Sequence, residues 1–177
     1  MNSLMIIPAT TEDVPALVAL VNSGYRGDSS RQGWTTEADL LGGIRIDEES
    51  MTDLIKAPGS VVLKATDANG IIQGCVHLQD TENALYLGML TVSPTLQNAG
   101  IGRQLMQAAE EFARTKNLPA ITMTVISVRE ELIAWYQRRG YADTGERKPF
   151  PMNDPRFGLP KQPLEFIVME KQLKPGE

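Results

Sequence analysis

Residues 92–103 read VSPTLQNAGIGR and join a strand-like segment to a strongly amphipathic helix. The apolar residues of that helix recur at helical spacing: Ile101, Leu105, Ala108, Ala109 and Phe112. The two glycines of the stretch therefore lie where the helix begins. A helix start leaves backbone N–H groups unpaired and carries the positive end of the dipole, and glycine lets an anion approach those groups closely. The stretch predicts a pocket for a phosphorylated cofactor, the alternative being a turn that binds no ligand.

The glycine spacing excludes two common phosphate-binding loops. A P-loop needs a lysine and a hydroxyl residue after its last glycine, but Arg103 and Gln104 follow Gly102. A dinucleotide-binding fingerprint needs a further glycine three residues later, where this chain has Leu105.

The remaining pattern, Gln97-x-x-Gly100-x-Gly102, resembles motif A of the GNAT acetyltransferases. In that family an Arg/Gln-x-x-Gly-x-Gly/Ala loop grips the pyrophosphate of acetyl-CoA. Residues 135–141, WYQRRGY, are similar to a second signature of the family, aromatic-Tyr-x-x-x-Gly-Phe/Tyr. The two signatures occur in the order expected of that family, which makes the resemblance much stronger than either signature alone.

The second signature lies at the end of a predicted strand and helix. Residues 121–126 are rich in β-branched side chains, as is typical of a strand. Ser127-x-x-Glu130 forms a capping-box pattern, which predicts that the helix begins there. Arg138 and Arg139 suit the negative end of this helix, and Gly140 suits its left-handed stop.

Length and composition favour a single domain over residues 1–177, with a frayed tail at 174–177. A chain of 177 residues buries roughly 70% of its unfolded surface, so stability requires neither a metal nor a disulfide. Cys75 is the only cysteine, which excludes an internal disulfide and a cysteine zinc cluster. The formal charge of −5 argues against nucleic-acid binding, for which a basic face is expected. Without a signal peptide or a long apolar run, we expect a cytoplasmic protein with no membrane contact.

The hydrophobic periodicity predicts alternating strands and helices. Strands are predicted at 4–8, 61–65, 71–78, 84–92 and 121–126, with a closing antiparallel pair at 141–147 and 164–173. Helices are predicted around residues 14–21, within 36–57, and after Gly100 and Ser127, whereas 23–36 reads as a loop and 67–70 as a hairpin turn. This order matches the GNAT fold, an α/β architecture with a central mixed, mostly antiparallel sheet flanked by helices.

The resemblance implies which residues bind acetyl-CoA. The phosphates are expected at the glycine-bearing turn, which comprises Gln97, Asn98, Ala99, Gly100, Ile101, Gly102 and Arg103. The pantetheine arm is expected along the preceding strand end, Leu90, Thr91 and Val92, where a backbone N–H polarises the thioester carbonyl. Many family members carry an asparagine seven residues before the signature tyrosine. This chain has Arg129 there, whose side chain is long enough to reach a phosphate instead.

Acetyl transfer to an amine also requires proton transfers. An amine with a lysine-like pKa is almost entirely protonated at neutral pH, so a group or a water must take its proton. The departing thiolate needs a proton as well, and Tyr136 matches the family tyrosine that supplies it. No carboxylate within residues 84–92 is an obvious base. Asp80, Glu82 and Glu37 are candidates, and a proton route through water is the alternative.

Several of these residues also have a purely structural interpretation. Tyr136 lies on the apolar face of its helix and would serve as a core aromatic, and Arg103 would serve as a solvated helix residue. His77, the only histidine, is interpreted as structural rather than as the base. Gly88 marks either a β-bulge that opens the sheet or a close-packing position.

Two segments are expected to determine which acceptor is used, because they lie outside the family motifs. They are residues 25–37 and 148–163, and the second contains five prolines. A loop this long in a compact domain is usually functional or disordered, and a solvated loop is the alternative. The candidate acceptor-binding residues are Tyr25, Arg31, Trp34, Glu37, Phe150 and Phe157.

The sequence and the resemblance together predict an enzyme, an acetyl-CoA-dependent N-acetyltransferase. We expect direct transfer of the acetyl group to a primary amine of a small molecule, amino acid or peptide. The alternative is a noncatalytic acyl-CoA-binding sensor or regulatory module. No metal is expected, and the sequence allows a homodimer without requiring one. It does not determine the acceptor, the acyl chain or the general base.

Overall fold

A computed structural model describes residues 4–25, 41–42, 46–93, 100–149, 159–160 and 165–173 of the chain. Its strands are β1 (Met5–Pro8), β2 (Leu41–Gly42), β3 (Ser60–Thr66), β4 (Ile72–Asp80), β5 (Leu85–Val92), β6 (Ala120–Ile126), β7 (Ala142–Pro149), β8 (Leu159–Pro160) and β9 (Glu165–Gln172). Its helices are α1 (Val14–Tyr25), α2 (Glu48–Lys56), α3 (Ile101–Thr115) and α4 (Glu130–Gln137), and a short 3₁₀ turn at Thr11–Asp13 precedes α1.

Seven strands form one mixed sheet in the order β1-β3-β4-β5-β6-β9-β7. All neighbouring strands are antiparallel except β5 and β6, which run parallel. The two remaining strands, β2 and β8, pair with each other in a separate small sheet. The predicted α/β architecture with a mixed, mostly antiparallel sheet is confirmed.

Helices cover both faces of the sheet, so that the core has two layers. On one face, α1 and α2 bury Leu17, Val21 and Met51 against β3, β4 and β5. On the other face, α3 and α4 bury a larger cluster, which includes Leu105 and Tyr136. Strand side chains alternate between the two layers because successive residues of a strand point to opposite faces. Within the described ranges, none of the helices combines the length and the apolar character that a membrane crossing requires.

The turn at residues 67–70 confirms the predicted β3–β4 hairpin. One Asp67 carboxylate oxygen accepts the N–H groups of Asn69 (2.9 Å) and Ile71 (3.0 Å). Gly70 supplies the left-handed backbone at φ +80°, a region that glycine enters without steric cost.

The start of α4 differs from its prediction, whereas α2 agrees with its prediction. The helix α4 begins at Glu130 with Arg129 as its N-cap, so the capping box predicted from Ser127 is wrong. The Ser127 N–H is bonded to the Glu165 carbonyl at 2.9 Å, which holds this residue to β9. The helix predicted within residues 36–57 is α2 at Glu48–Lys56, as expected. Asp47 caps it by accepting the Ser50 N–H at 2.7 Å, whereas Leu41–Gly42 forms a strand.

Candidate functional site

The sheet splits between its only two parallel neighbours, β5 and β6. They pair at Leu85–Ile121 and Tyr86–Thr122, although β5 continues to Val92 and β6 to Ile126. Every other neighbouring pair of this sheet is joined at four or more residue positions. Carboxyl ends of parallel strands meet at the same edge of a sheet, and ligands bind in the crevice outside them. The β5–β6 split is therefore the candidate site.

A β-bulge shapes the β5 wall of the split. The register between β4 and β5 passes from Cys75–Thr91 to His77–Gly88, so β5 contains one extra residue. Met89 has the left-handed backbone at φ +55°, which is uncommon for a residue with a side chain. Leu87 packs in the layer under α3, whereas Met89 packs in the layer under α1 and α2. Residues two apart in a regular strand face the same layer, but Leu87 and Met89 face opposite layers. The bulge therefore reverses the alternation of side chains along β5. Gly88 lies beside the bulge, as predicted, but the distorted backbone is that of Met89.

The helix α3 begins at the open end of the split. Its N-cap is Gly100 at φ +79°, and among the described residues no side chain caps the first turn. The start of α3 is held close to β4, because a Cβ atom at Gly74 would lie 3.1 Å from Ile101 Cγ2 and 3.1 Å from Leu105 Cδ1. Uncapped N–H groups and the helix dipole together favour an anion at this position.

The helix α4 begins at the same edge, after β6. Arg129 is buried at its N-cap, and Glu130 and Glu131 follow in the first turn. Near the C-terminal end of α4, Trp135 packs against α3. A Cβ atom at Gly102 would lie 3.5 Å from Trp135 Cζ2 and 3.7 Å from Val92 Cγ2. The end of β5, the start of α3 and the side chain of Trp135 thus meet beside the split.

Tyr136 lies in an aromatic cluster under α3. It is 5% exposed, and its ring makes edge-to-face contacts with Trp135 (centroids 5.2 Å apart) and Tyr141 (6.0 Å). Tyr141 differs from Tyr136 because its hydroxyl is buried without a hydrogen-bond partner among the described residues. Burial raises the pKa of the Tyr141 phenol well above its usual range, and the nearby Glu110 charge raises it further.

The sequence signatures predict a helix that begins at a glycine-bearing turn after a strand, and α3 begins after Gly100, following β5. The model of the "Acetyltransferase (GNAT) domain" family matches residues 35–151 of this chain. The chain belongs to the GNAT acetyltransferase family. Members of this family use acetyl-CoA as the acyl donor, so the predicted family and donor are confirmed at the level of the family.

Individual relatives of this GNAT chain are distant. The "IAA acetyltransferase" of Azospirillum brasilense is 31% identical over 84 residues, which are 46% of this chain and 55% of that protein. This chain therefore spans about half the length of that relative. Among solved structures, the ribosomal-protein-S18-alanine N-acetyltransferase from Escherichia coli has a TM-score of 0.72 at 16% identity, covering 99% of this chain and 97% of that one. Nourseothricin acetyltransferase has a TM-score of 0.69 at 18% identity, covering 97% and 99%. These structures show that the fold is shared.

On the face of the sheet opposite α3, the apex of the split carries polar side chains that the sequence did not single out. Half-buried Tyr86 of β5 reaches across to β6, where its hydroxyl lies 3.4 Å from Thr124 Oγ1. Gly88 leaves room for it, because a Cβ atom there would lie 2.9 Å from Tyr86 Cε2 and would displace the ring. The register at which β5 and β6 diverge is a long-range property, so no local sequence signal marks this hydroxyl pair.

His77 lies behind Tyr86 in the sheet of this GNAT domain. The Ser60 hydroxyl donates its single proton to the Leu54 carbonyl (2.5 Å), so it accepts from His77 Nε2–H at 2.8 Å. The His77 ring meets the Tyr86 ring edge to face with centroids 6.3 Å apart. Because Nε2 is used as a donor inside the protein, this arrangement favours the structural interpretation of His77.

The predicted cofactor and acceptor residues fall into three groups. Leu90, Thr91, Val92, Gly100, Ile101, Gly102, Arg103 and Arg129 all lie on elements that border the open end of the split. Outside the described residues lie Gln97, Asn98, Ala99, Arg31, Trp34, Glu37, Phe150 and Phe157. Tyr25 ends α1, and its side chain is not described. The described part of the chain contains no group of three or more His, Cys, Asp or Glu side chains that could hold a metal ion.

Proposed function

We propose that the protein is an N-acetyltransferase that moves the acetyl group of acetyl-CoA directly to a primary amine. The observation that carries this proposal is the β5–β6 split, which opens where α3 begins. A thioester donor needs an extended channel for its pantetheine arm and an anion site for its phosphates. The split supplies the channel for the pantetheine arm, and the start of α3 at Gly100 supplies the anion site for the phosphates.

The donor is held by backbone groups more than by side chains. The pantetheine arm lies along β5 beyond Tyr86 as an added strand, with its thioester near Leu90, Thr91 and Val92. The pyrophosphate lies against the first turn of α3 at Gly100 to Arg103. A backbone N–H of the β5 end polarises the thioester carbonyl as negative charge develops on its oxygen.

The reaction consists of one bond exchange and two proton transfers. The neutral amine nitrogen attacks the carbonyl carbon and forms a C–N bond. The C–S bond then breaks, and the electron pair leaves with sulfur. Water or a nearby carboxylate takes the proton lost by the amine, and the Tyr136 hydroxyl gives a proton to the departing thiolate. The products are an N-acetyl amide and free CoA.

The acceptor is an amine of a small molecule, an amino acid or a peptide. The names of the distant relatives point to acceptors of differing chemistry, since they include an IAA acetyltransferase, a nourseothricin acetyltransferase and an alanine N-acetyltransferase of a ribosomal protein. Because the shared region with each is distant or partial, none of these acceptors is preferred for this chain. The Tyr86–Thr124 hydroxyl pair, which lies at the apex of the split, is a candidate contact for the acceptor.

A noncatalytic acyl-CoA sensor is the second candidate function. It would use the same donor site but would need no group to protonate sulfur. Tyr136 favours the enzyme, because its phenol occurs where the family signature has the acid.

Acetyl-CoA binding is tested by Gly100→Val. A side chain at this position obstructs the approach of the pyrophosphate, so we expect acetyl-CoA affinity to fall about 10- to 100-fold in calorimetry, as for the loss of charge-assisted hydrogen bonds. Valine at φ +79° also strains the backbone. Gly70→Val is the matched control, because Gly70 has a similar φ of +80° and a Cβ atom there would meet no described atom within 4 Å. Equal affinities of the two variants would show that the phosphates bind elsewhere.

Catalysis is tested by measuring CoA release from acetyl-CoA across panels of small amines, amino acids and peptides. An enzyme releases CoA in an amine-dependent manner and forms one N-acetyl product per CoA. Tight acetyl-CoA binding without release in any panel would favour the sensor.

A further inference from the structure

Arg139, just beyond α4, is held in a fixed position by Trp135. Its guanidinium carbon lies 3.6 Å from the centroid of the indole ring, and its Nη1 donates to the Trp135 carbonyl at 3.0 Å. Its Nε is buried, and none of the described groups accepts a hydrogen bond from it. A guanidinium stacked on an aromatic ring is pre-organised, so less entropy is lost when its remaining donors bind a ligand.

This arginine lies next to the start of α3. The Trp135 ring on which it stacks also packs against Gly102 of the first turn. Burial lowers the pKa of Arg139, and the positive charges of Arg138 and Arg103 lower it further. Arg103 itself is exposed, and its Nη2 would lie 3.6 Å from a Cβ atom at Gly100. Two guanidinium groups are thus gathered beside the split.

Arg139 and Arg103 have no carboxylate partner among the described residues, although much of the chain's positive charge is paired there. Examples of such pairs are Arg114 and Lys171 with Glu110, Arg147 with Asp143, and Lys64 with Asp13. In a chain with a formal charge of −5, carboxylates are not scarce. Like charges gathered without a counter-charge favour an anion, and a guanidinium binds phosphate through paired N–H donors.

We propose that Arg139, together with Arg103, binds the 3′-phosphate of the CoA ribose. This inference rests on the proposed function, which places the pyrophosphate at the first turn of α3. In CoA, one ribose ring separates the 3′-phosphate from the pyrophosphate. In the protein, the Trp135 indole ring separates the Arg139 guanidinium from Gly102. A phosphate monoester carries about −1.5 to −2 charges at neutral pH, so two adjacent guanidinium groups attract it strongly.

The experiment compares CoA with 3′-dephospho-CoA by isothermal titration calorimetry. We expect the unmodified protein to bind CoA at least about tenfold more tightly than 3′-dephospho-CoA, as for one charge-assisted hydrogen-bonded contact. Arg139→Gln should reduce CoA affinity and leave 3′-dephospho-CoA affinity nearly unchanged. Arg103→Gln, at the first turn of α3, should reduce the affinity for both ligands, but more for CoA, so that the preference shrinks in each variant. Arg139→Lys keeps the charge but loses the paired donors, and it should retain part of the preference. Arg138→Gln is the control, because it removes the same charge from the adjacent exposed residue.

Each other outcome overturns the inference in a recognisable way. If the unmodified protein binds both ligands equally, no 3′-phosphate site exists. If Arg139→Gln and Arg103→Gln weaken the binding of both ligands equally, the arginines act on the pyrophosphate or through the overall positive potential of this region. If the unmodified protein binds neither ligand, the proposed function itself is wrong. Since Arg139 packs on Trp135, thermal unfolding is measured for each variant, and the exposed Arg103 provides the test should Arg139→Gln fail to fold.

Discussion

At the scale of single residues, Tyr136 and Tyr141 are two buried phenols of one aromatic cluster with different expected roles. Tyr136 packs against Trp135 on the helix that follows β6, at the position of the family acid. Tyr141 lies on the other side of the Gly140 stop, and no described group bonds to its hydroxyl. Comparing substitutions at these two residues therefore distinguishes a catalytic role of the hydroxyl from the contribution of the ring to packing.

We predict that Tyr136→Phe lowers turnover about 10²- to 10⁴-fold, as for the loss of a general acid, while acetyl-CoA affinity changes little. The ring still packs, so only the proton donor is lost. Tyr141→Phe is the matched control and should keep normal turnover. It should also raise the free energy of unfolding by roughly 1 kcal/mol, because an unsatisfied buried hydroxyl is removed. Steady-state kinetics measure turnover, and urea unfolding measures the free energy of unfolding. Normal turnover in Tyr136→Phe would show that Tyr136 is a core residue and not the acid.

At the scale of elements, the position of α3 depends on a glycine in a neighbouring strand. A Cβ atom at Gly74 of β4 would lie 2.8 Å from the Thr91 carbonyl oxygen, besides its close approach to Ile101 and Leu105. Backbone atoms cannot move aside as a side chain can. The absence of a side chain at residue 74 therefore permits the helix start to approach the end of β5.

We predict that Gly74→Ala lowers the free energy of unfolding by about 1–3 kcal/mol, as for overpacking in a core. It should also weaken acetyl-CoA binding, because the start of α3 is pushed away from β5. Gly102→Ala is the stability control: its Cβ would meet Trp135 at 3.5 Å, an ordinary contact, and alanine favours the helix. Urea unfolding compares the two variants. Equal destabilisation of both would contradict the packing argument.

Another element contact makes stability depend on pH. The Asp13 carboxylate accepts the Thr10 N–H at 2.9 Å and pairs with Lys64 of β3 at 2.9 Å. Burial acts to raise the pKa of Asp13, but these partners outweigh it and hold the pKa below the ordinary value of 3.8. A lowered folded-state pKa means that the contribution is present above pH 3.8 and is lost as the pH falls below it.

We predict that Asp13→Asn destabilises the protein by about 1 kcal/mol at pH 7 and by less at pH 3. The reason is that at pH 3 protonation of Asp13 already removes much of its stabilising contribution from the unmodified protein. Urea unfolding at the two pH values measures the difference, with the exposed neighbour Glu12→Gln as the control. A loss of equal size at both pH values would show that the charge of Asp13 is not involved.

At the scale of the whole molecule, the sequence predicted the features that short-range patterns determine. Period-2 and period-3.6 patterns located most strands and α3, and the glycine-bearing pattern located the start of α3 at Gly100. The sequence did not locate the extra residue of the bulge at Met89, because the register between β4 and β5 depends on which side chains each layer accommodates. It also misplaced the start of α4, because the contact of Ser127 with β9 joins residues distant in sequence. The Tyr86–Thr124 pair was missed for the same reason.

The two segments expected to bind the acceptor are connected through the small second sheet. Leu41 pairs with Pro160 and Gly42 pairs with Leu159, so the chain just after 25–37 meets the second half of 148–163. We expect both segments to bind the acceptor, and this pairing joins residues 41–42, which follow the first segment, to residues 159–160 of the second. Trp34 and Phe157 themselves lie outside the described residues.

We predict that Trp34→Ala raises the Michaelis constant of the amine acceptor found in the CoA-release panels and leaves acetyl-CoA affinity nearly unchanged. An indole in the acceptor pocket contributes apolar contact area, and its truncation removes that contact without affecting the split that holds the donor. Trp135→Ala is the matched comparison, because this tryptophan packs against Gly102 at the donor end and should weaken acetyl-CoA instead. Steady-state kinetics in both substrates and calorimetry with acetyl-CoA separate the two effects. If Trp34→Ala weakened acetyl-CoA and left the acceptor constant unchanged, residues 25–37 would belong to the donor site, and acceptor selection would have to come from other residues, such as Tyr86 and Thr124.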